Sequence, residues 1–142
     1  YKGRSLQQVT YLIRVLKQLG ITPLFLSDTT RGINKTYKKS DLVLLDNHTN
    51  LQCSSPLKGL NRFIYCGIFP DMNAPYDMKL NSKLMQKAQE LQIHLKEGKY
   101  ASVFGPQLDT RVQYRFLGII GADLLGINTT TEVTVANQLK LP

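Results

Sequence analysis

Short apolar runs bounded by turn-forming residues alternate along this chain with segments whose apolar residues recur at helical spacing. That alternation restricts the fold more than any other feature. Leu6, Val9, Ile13 and Leu16 share one helix face, Ser5 stands before them as an N-cap and Gly20 after them as a stop, so a helix is expected over 6–19. Pro23-Leu24-Phe25-Leu26-Ser27 reads as a buried strand, and Asp41-Leu42-Val43-Leu44-Leu45-Asp46-Asn47-His48 as a second strand with a polar exit. Leu84, Ala88, Leu91 and Leu95 mark a helix over about 80–96, stopped by Gly98, before a strand over 99–104. Asp109 or Thr110 caps a helix carrying Val112, Phe116 and Ile119 and ended by Gly121. A strand over 122–127 and a helix over 131–140 complete the series, the last introduced by a capping box of Thr129 and Glu132. The pattern predicts an α/β fold, a mixed and largely buried β-sheet flanked by helices. Residues 49–76 interrupt it with Pro56, Gly59, Gly67, Pro70 and Pro75, and irregular stretches of that length tend to be functional.

Length and composition narrow the class. The 142 residues amount to one domain, 1–142, able to bury its own core without disulfides or a structural metal. Hydrophobic residues make up 42% and charged residues 20%, which is a globular balance. No apolar run approaches the roughly 18 residues of a membrane span, and no secretory leader pattern opens the sequence. The two cysteines, Cys53 and Cys66, form no disulfide framework, so a cytoplasmic, reducing setting is expected. The formal net charge of +8 favours an anionic partner. Its tightest cluster, Arg31, Lys35, Lys38 and Lys39, reads first as a solvated loop, and no nucleic-acid-binding motif accompanies it, so neither a nucleic-acid nor a membrane partner is expected.

In open α/β sheets ligands bind beyond the carboxyl ends of the strands. Three such ends are visible, at 27–32, 105–110 and 126–132. The first and third are rich in hydroxyls and backbone donors, and the third opens into a helix whose N-terminus suits phosphate. Hydroxyl-rich helix starts are ordinarily caps, however, and Asp109 is readable as a cap, a ligand-reading carboxylate or both. His48 reads as a hydrogen-bonded structural histidine, and His94, placed in a helix, has no metal-ligating neighbours at the right spacing. No metal site is expected, and no nucleophile elbow, Walker loop or dinucleotide fingerprint is present.

A resemblance adds to this reading. Val9-Thr10 through Arg14-Val15-Leu16, Leu19-Gly20-Ile21, Gly32-Ile33-Asn34, His48-Thr49-Asn50-Leu51 and Pro56-Leu57-Lys58-Gly59 resemble, in one order, segments of the trimeric, low-molecular-mass purine nucleoside phosphorylases. The likeness continues through Phe69-Pro70-Asp71-Met72, Glu97-Gly98-Lys99-Tyr100, Gly105-Pro106, Gly121-Ala122-Asp123 and Glu132-Val133. Methylthioadenosine phosphorylase is a close relative of that family. The resemblance implies phosphorolysis of purine nucleosides to free base and ribose 1-phosphate, with inorganic phosphate as co-substrate and no cofactor. The chain would be the central segment of such a domain, cut at both ends and inactive by itself.

Carried over position by position, the resemblance places Tyr1 at the ribose, Leu108 and Asp109 at the purine, and Ile127 beneath the ribose. It places Thr29 and Asn128 at the phosphate, and Tyr65 in the pocket of a neighbouring subunit of a homotrimer. Asp109 and Asn128 would be the catalytic pair. Five of these positions depart from the family: Thr29 stands for alanine, Leu108 for phenylalanine, Asp109 for glutamate, Ile127 for methionine and Asn128 for serine. Asp28-Thr29-Thr30-Arg31 also replaces Asn-Ala-Ala-Gly, setting a carboxylate beside a dianion, with Arg31 available to offset it and in need of a backbone a glycine would adopt easily. The alternative implied by these changes is a catalytically inactive relative that binds ligand or forms oligomers.

Overall fold

The computed structural model describes residues 3–59, 69–105, 107 and 109–142. Helices α1 (Leu6–Val9) and α2 (Tyr11–Gln18) open the chain, followed by strands β1 (Arg31–Gly32) and β2 (Leu42–Asn50). Helix α3 (Met78–Glu90), strand β3 (Leu95–Ser102), helix α4 (Arg111–Ile119), strand β4 (Leu124–Gly126) and helix α5 (Thr129–Gln138) complete it. The four strands form one sheet in the order β1-β4-β3-β2. Strands β2, β3 and β4 run parallel, and β1 lies antiparallel on β4, giving the expected mixed sheet flanked by helices.

Residues where β3 and β4 meet are deeply buried. Tyr100, Ala101, Ser102 and Leu125 are all at most 1% exposed. Successive residues of a strand face opposite sides, so Ala101 and Tyr100 serve different layers. On one side Ala101 and Leu125 pack with Leu117 of α4 and with Ala122. A second core joins Ile13 of α2 to Val135 and Ala136 of α5 and to Leu141.

Several expected elements take a different form. The first helix is interrupted at Thr10, whose fully buried hydroxyl donates to the carbonyl of Leu6, although Ser5 caps it as expected, in a reciprocal box with Gln8. Residues 23–27 form no strand: Leu24 N–H donates to the Pro142 carbonyl, and Leu24 and Leu26 pack on the second core. Helix α3 stops at Glu90 rather than near 96, because Gln92 turns to a φ of 56° and Leu95 starts β3. His94 therefore lies between α3 and β3, not in a helix. Gly98, expected as a helix stop, sits inside β3, where a Cβ would come within 2.8 Å of the Tyr37 hydroxyl and 3.0 Å of Val43.

Thr110, not Asp109, caps α4, again in a reciprocal box, with Gln113. The stripe of Val112, Phe116 and Ile119 faces outward, and α4 buries Leu117 instead. The Thr129–Glu132 capping box does not form, because α5 already begins at Thr129 and its N-cap is Asn128.

Candidate active site at the strand ends

Pairing register positions the candidate site. Arg31 stands opposite Leu125 and Gly32 opposite Leu124 in the antiparallel β1–β4 pair. Continuing that register back along residues 28–30 carries the chain past the end of β4, so that Asp28 comes level with Asn128. The side chains meet there: Asn128 Nδ2 donates to Asp28 Oδ2 at 3.2 Å. The other Asp28 oxygen, Oδ1, accepts the Thr29 N–H at 2.8 Å. Asn128 is the N-cap of α5, yet its side chain makes no capping bond to the helix.

Arg31 ties in the segment at 105–110. Its Nη1 lies 3.0 Å from Asp109 Oδ2, with the Asp109 side chain 2% exposed and that of Arg31 40% exposed. Asp109 is thus a buried carboxylate satisfied by a cation from across the sheet. Arg31 also needs no glycine-like backbone, since it lies in β1 and is not among the positive-φ residues.

Beneath these groups Gln52 organises the ends of β3 and β4. It is 7% exposed. Its Nε2 donates to the Ile127 carbonyl and, at 3.3 Å, to the Val103 carbonyl, and its Oε1 accepts from Thr131 Oγ1 at 3.3 Å. Ser102 Oγ donates to the same Ile127 carbonyl at 3.3 Å. The Ile127 side chain packs against Gly105, where a Cβ would strike it. Gln52 was hidden in the sequence within the irregular stretch after β2. The signal available was its place two residues beyond a strand's carboxyl end, where a polar side chain reaches neighbouring strand ends.

The structure therefore links Thr29 to Asn128 through Asp28, and joins Asp109 to the same β1 segment through Arg31. Tyr1, Tyr65 and Leu108, expected as ribose and purine walls, lie outside the described residues, as does Cys66. Among the described residues, two of the hollows border the sheet. One, of about 450 Å³, is an apolar trough among Leu24, Leu26, Leu44, Leu84, Val133 and their neighbours. The other, about 330 Å³, includes His48 and Lys99. Neither is lined by Thr29, Asp109 or Asn128.

His48 has the structural surroundings expected of it. Its Nδ1 is 3.1 Å from the Tyr76 hydroxyl, and the two rings meet edge-on at 5.7 Å and 87°. Burial pushes the His48 pKa below its ordinary value, so the ring is neutral at neutral pH. Among the described residues no group of three or more His, Cys, Asp or Glu side chains is arranged to hold a metal ion, and no helix is long and apolar enough to cross a membrane.

Glu132, in the first turn of α5, has its pKa raised, first by burial and then by the negative charge of Asp28. A carboxyl with a raised folded-state pKa contributes stability below its unfolded value and loses it as pH rises through the folded value. Glu132→Gln is therefore expected to raise the melting temperature at pH 7 by a few degrees (~3 °C). The gain should vanish at pH 4, below the ordinary value of 4.5. Calorimetric scans at the two pH values check this, and equal shifts at both would contradict it.

The phosphorylase superfamily model matches residues 3–142, nearly the whole chain. The chain belongs to the phosphorylase superfamily. Among members of that family, it is 36% identical over 138 residues to purine nucleoside phosphorylase 1 of Bacillus subtilis, covering 97% of this chain and 51% of that protein. To purine nucleoside phosphorylase of Mus musculus it is 34% identical over 146 residues, covering 99% of this chain and 50% of that protein. The chain spans about half the length of the curated relatives it matches. In three dimensions it is similar to isoform 2 of the Schistosoma mansoni purine nucleoside phosphorylase, solved with cytosine and ribose-1-phosphate. The TM-score is 0.92 at 32% identity, over 99% of this chain and 51% of that one. A second Schistosoma mansoni structure, with a monocyclic inhibitor, gives a TM-score of 0.94 at 30% identity, over 99% of this chain and 55% of that one.

Proposed function

We propose that the protein to which this chain belongs is a purine nucleoside phosphorylase, a pentosyltransferase that works in purine salvage in the cytoplasm as a homotrimer and needs no cofactor. The supporting observation is the joining of the start of β1 to the segments that follow β4 and β3, by Asp28–Asn128 and Arg31–Asp109, in a chain that is similar over nearly its whole length to about half of such an enzyme. Cleavage of the glycosidic bond passes through an oxocarbenium-like transition state, with positive charge on the ribose and negative charge gathering on the purine. Phosphate beneath the sugar is both the stabilising anion and the nucleophile: its oxygen forms the bond to the anomeric carbon as the bond to the purine nitrogen breaks. The N-terminus of α5 and the donors of Thr29 and Asn128 are the groups suited to bind it.

Asp109 serves the purine. Its carboxylate accepts a hydrogen bond from a ring N–H, and Arg31 holds it in place. Ile127, with Tyr1 and Leu108, supplies apolar walls, and Tyr65 closes the pocket of the adjacent subunit.

Phosphate-dependent release of hypoxanthine from inosine by the full protein tests this reading. A folded trimer that binds purine without turnover would replace it with the inactive, ligand-binding alternative. Asp109→Glu should raise kcat/KM for 6-oxopurine nucleosides several-fold (~3–10-fold, about one hydrogen bond's improvement in geometry), because the added methylene restores reach toward the base. An unchanged kcat/KM would place Asp109 away from the purine.

A further inference from the structure

Two of the donors assigned above to phosphate are engaged by a group of the chain itself. Asp28 presents one carboxylate oxygen to the Thr29 N–H and the other to Asn128 Nδ2. A carboxylate is planar and singly charged, but its two oxygens occupy the same kind of donor cradle as two oxygens of a phosphate. Arg31, the nearest cation in sequence, makes its ion pair with Asp109.

We propose that Asp28 is an internal competitor for the phosphate position and sets how strongly this chain takes the anion. The inference rests on the phosphorolysis reading above and names the residue that regulates its co-substrate. When phosphate arrives, the Asp28 side chain must give up the Asn128 amide and turn away, and its charge remains beside the incoming dianion. Two effects then act together. The donor set is offered only after one hydrogen bond is broken, and like charges at contact distance repel.

The elevated pKa of Glu132 is consistent with this geometry, because the Asp28 charge is one of its causes. The mouth of α5 already carries two carboxyl groups before any phosphate enters. Residues 27–30 form no helix or strand in the structure, so the side chain can rotate without disturbing the sheet.

The test uses the full protein, its Asp28→Asn variant and, in case that variant fails to fold, Asp28→Ser. Inorganic phosphate is titrated by calorimetry in the absence of nucleoside, and inosine phosphorolysis is followed at varied phosphate. Both variants should bind phosphate more tightly, on the order of tenfold or more. The same change should be seen in the KM for phosphate and not in the KM for inosine. Phosphate affinity that is unchanged or weaker in the folded variants overturns the proposal, as does phosphate that binds none of the proteins. If no protein releases hypoxanthine but the variants gain phosphate affinity, the phosphorolysis reading fails while the role of Asp28 stands.

Discussion

Gly126→Ala is expected to cost about 3 kcal/mol of stability, near the top of the usual range for overpacking a core. Gly126 is the last residue of β4. A Cβ built there would fall on the Tyr100 hydroxyl and lie 2.8 and 2.9 Å from the Tyr100 Cζ and Cε2 atoms. Real side-chain carbons do not approach that closely, so either Tyr100 or the strand must move. Tyr100 is 1% exposed and is the largest fully buried side chain among the described residues, so moving it disturbs its packed surroundings. The strand can give way only by shifting Ile127 and Asn128, which follow directly. Urea unfolding of Gly126→Ala and of Gly126→Ala/Tyr100→Phe measures the effect. Removing the hydroxyl removes the nearest clash, so the double variant should recover part of the loss and the two sites should couple. A single variant within 0.5 kcal/mol of the parent would show that this corner yields freely.

Gln52→Leu is expected to destabilise by about 2–4 kcal/mol, although the new side chain is similar in size and apolar. Leucine leaves Thr131 Oγ1 without the acceptor it has in Gln52, in a residue only 1% exposed. It also removes a donor from the carbonyls of Val103 and Ile127. Unpaired buried polar groups cost about 1–3 kcal/mol each, and Ser102 Oγ remains to satisfy Ile127 in part. Ile127 leads into Asn128, so if Asn128 binds phosphate as proposed, a rise in the KM for phosphate should accompany the lower urea midpoint. Loss of less than 1 kcal/mol would mean that these groups find other partners.

Much of the fold was legible in the sequence because it depends on local signals. The caps at Ser5 and Thr110 form the reciprocal bonds their positions invite, and Gly121 follows α4 at a φ of 87°. The errors lie where tertiary contacts overrule local preference. Leu24-Phe25-Leu26 has strand composition but no neighbouring strand among the described residues, so it packs on a core without joining the sheet. Leu91 continues the apolar period of α3 yet is 67% exposed beyond the helix end. Val112, Phe116 and Ile119 mark a helix correctly but not its buried side. At the candidate site, the residue types were readable and the pairings were not. Nothing in the order of residues says that Arg31 reaches Asp109, because that choice depends on β1 lying antiparallel on β4.

That same antiparallel contact has a consequence for how the corner comes into being. Its two ties join residues separated by 100 and 78 positions. Chain closure over such separations is paid before any contact rewards it, and folds dominated by distant pairings form slowly. During synthesis Asp28, Thr29 and Arg31 emerge early and remain without their partners until Asn128 has left the ribosome. This corner of the sheet is therefore among the last features to acquire its shape.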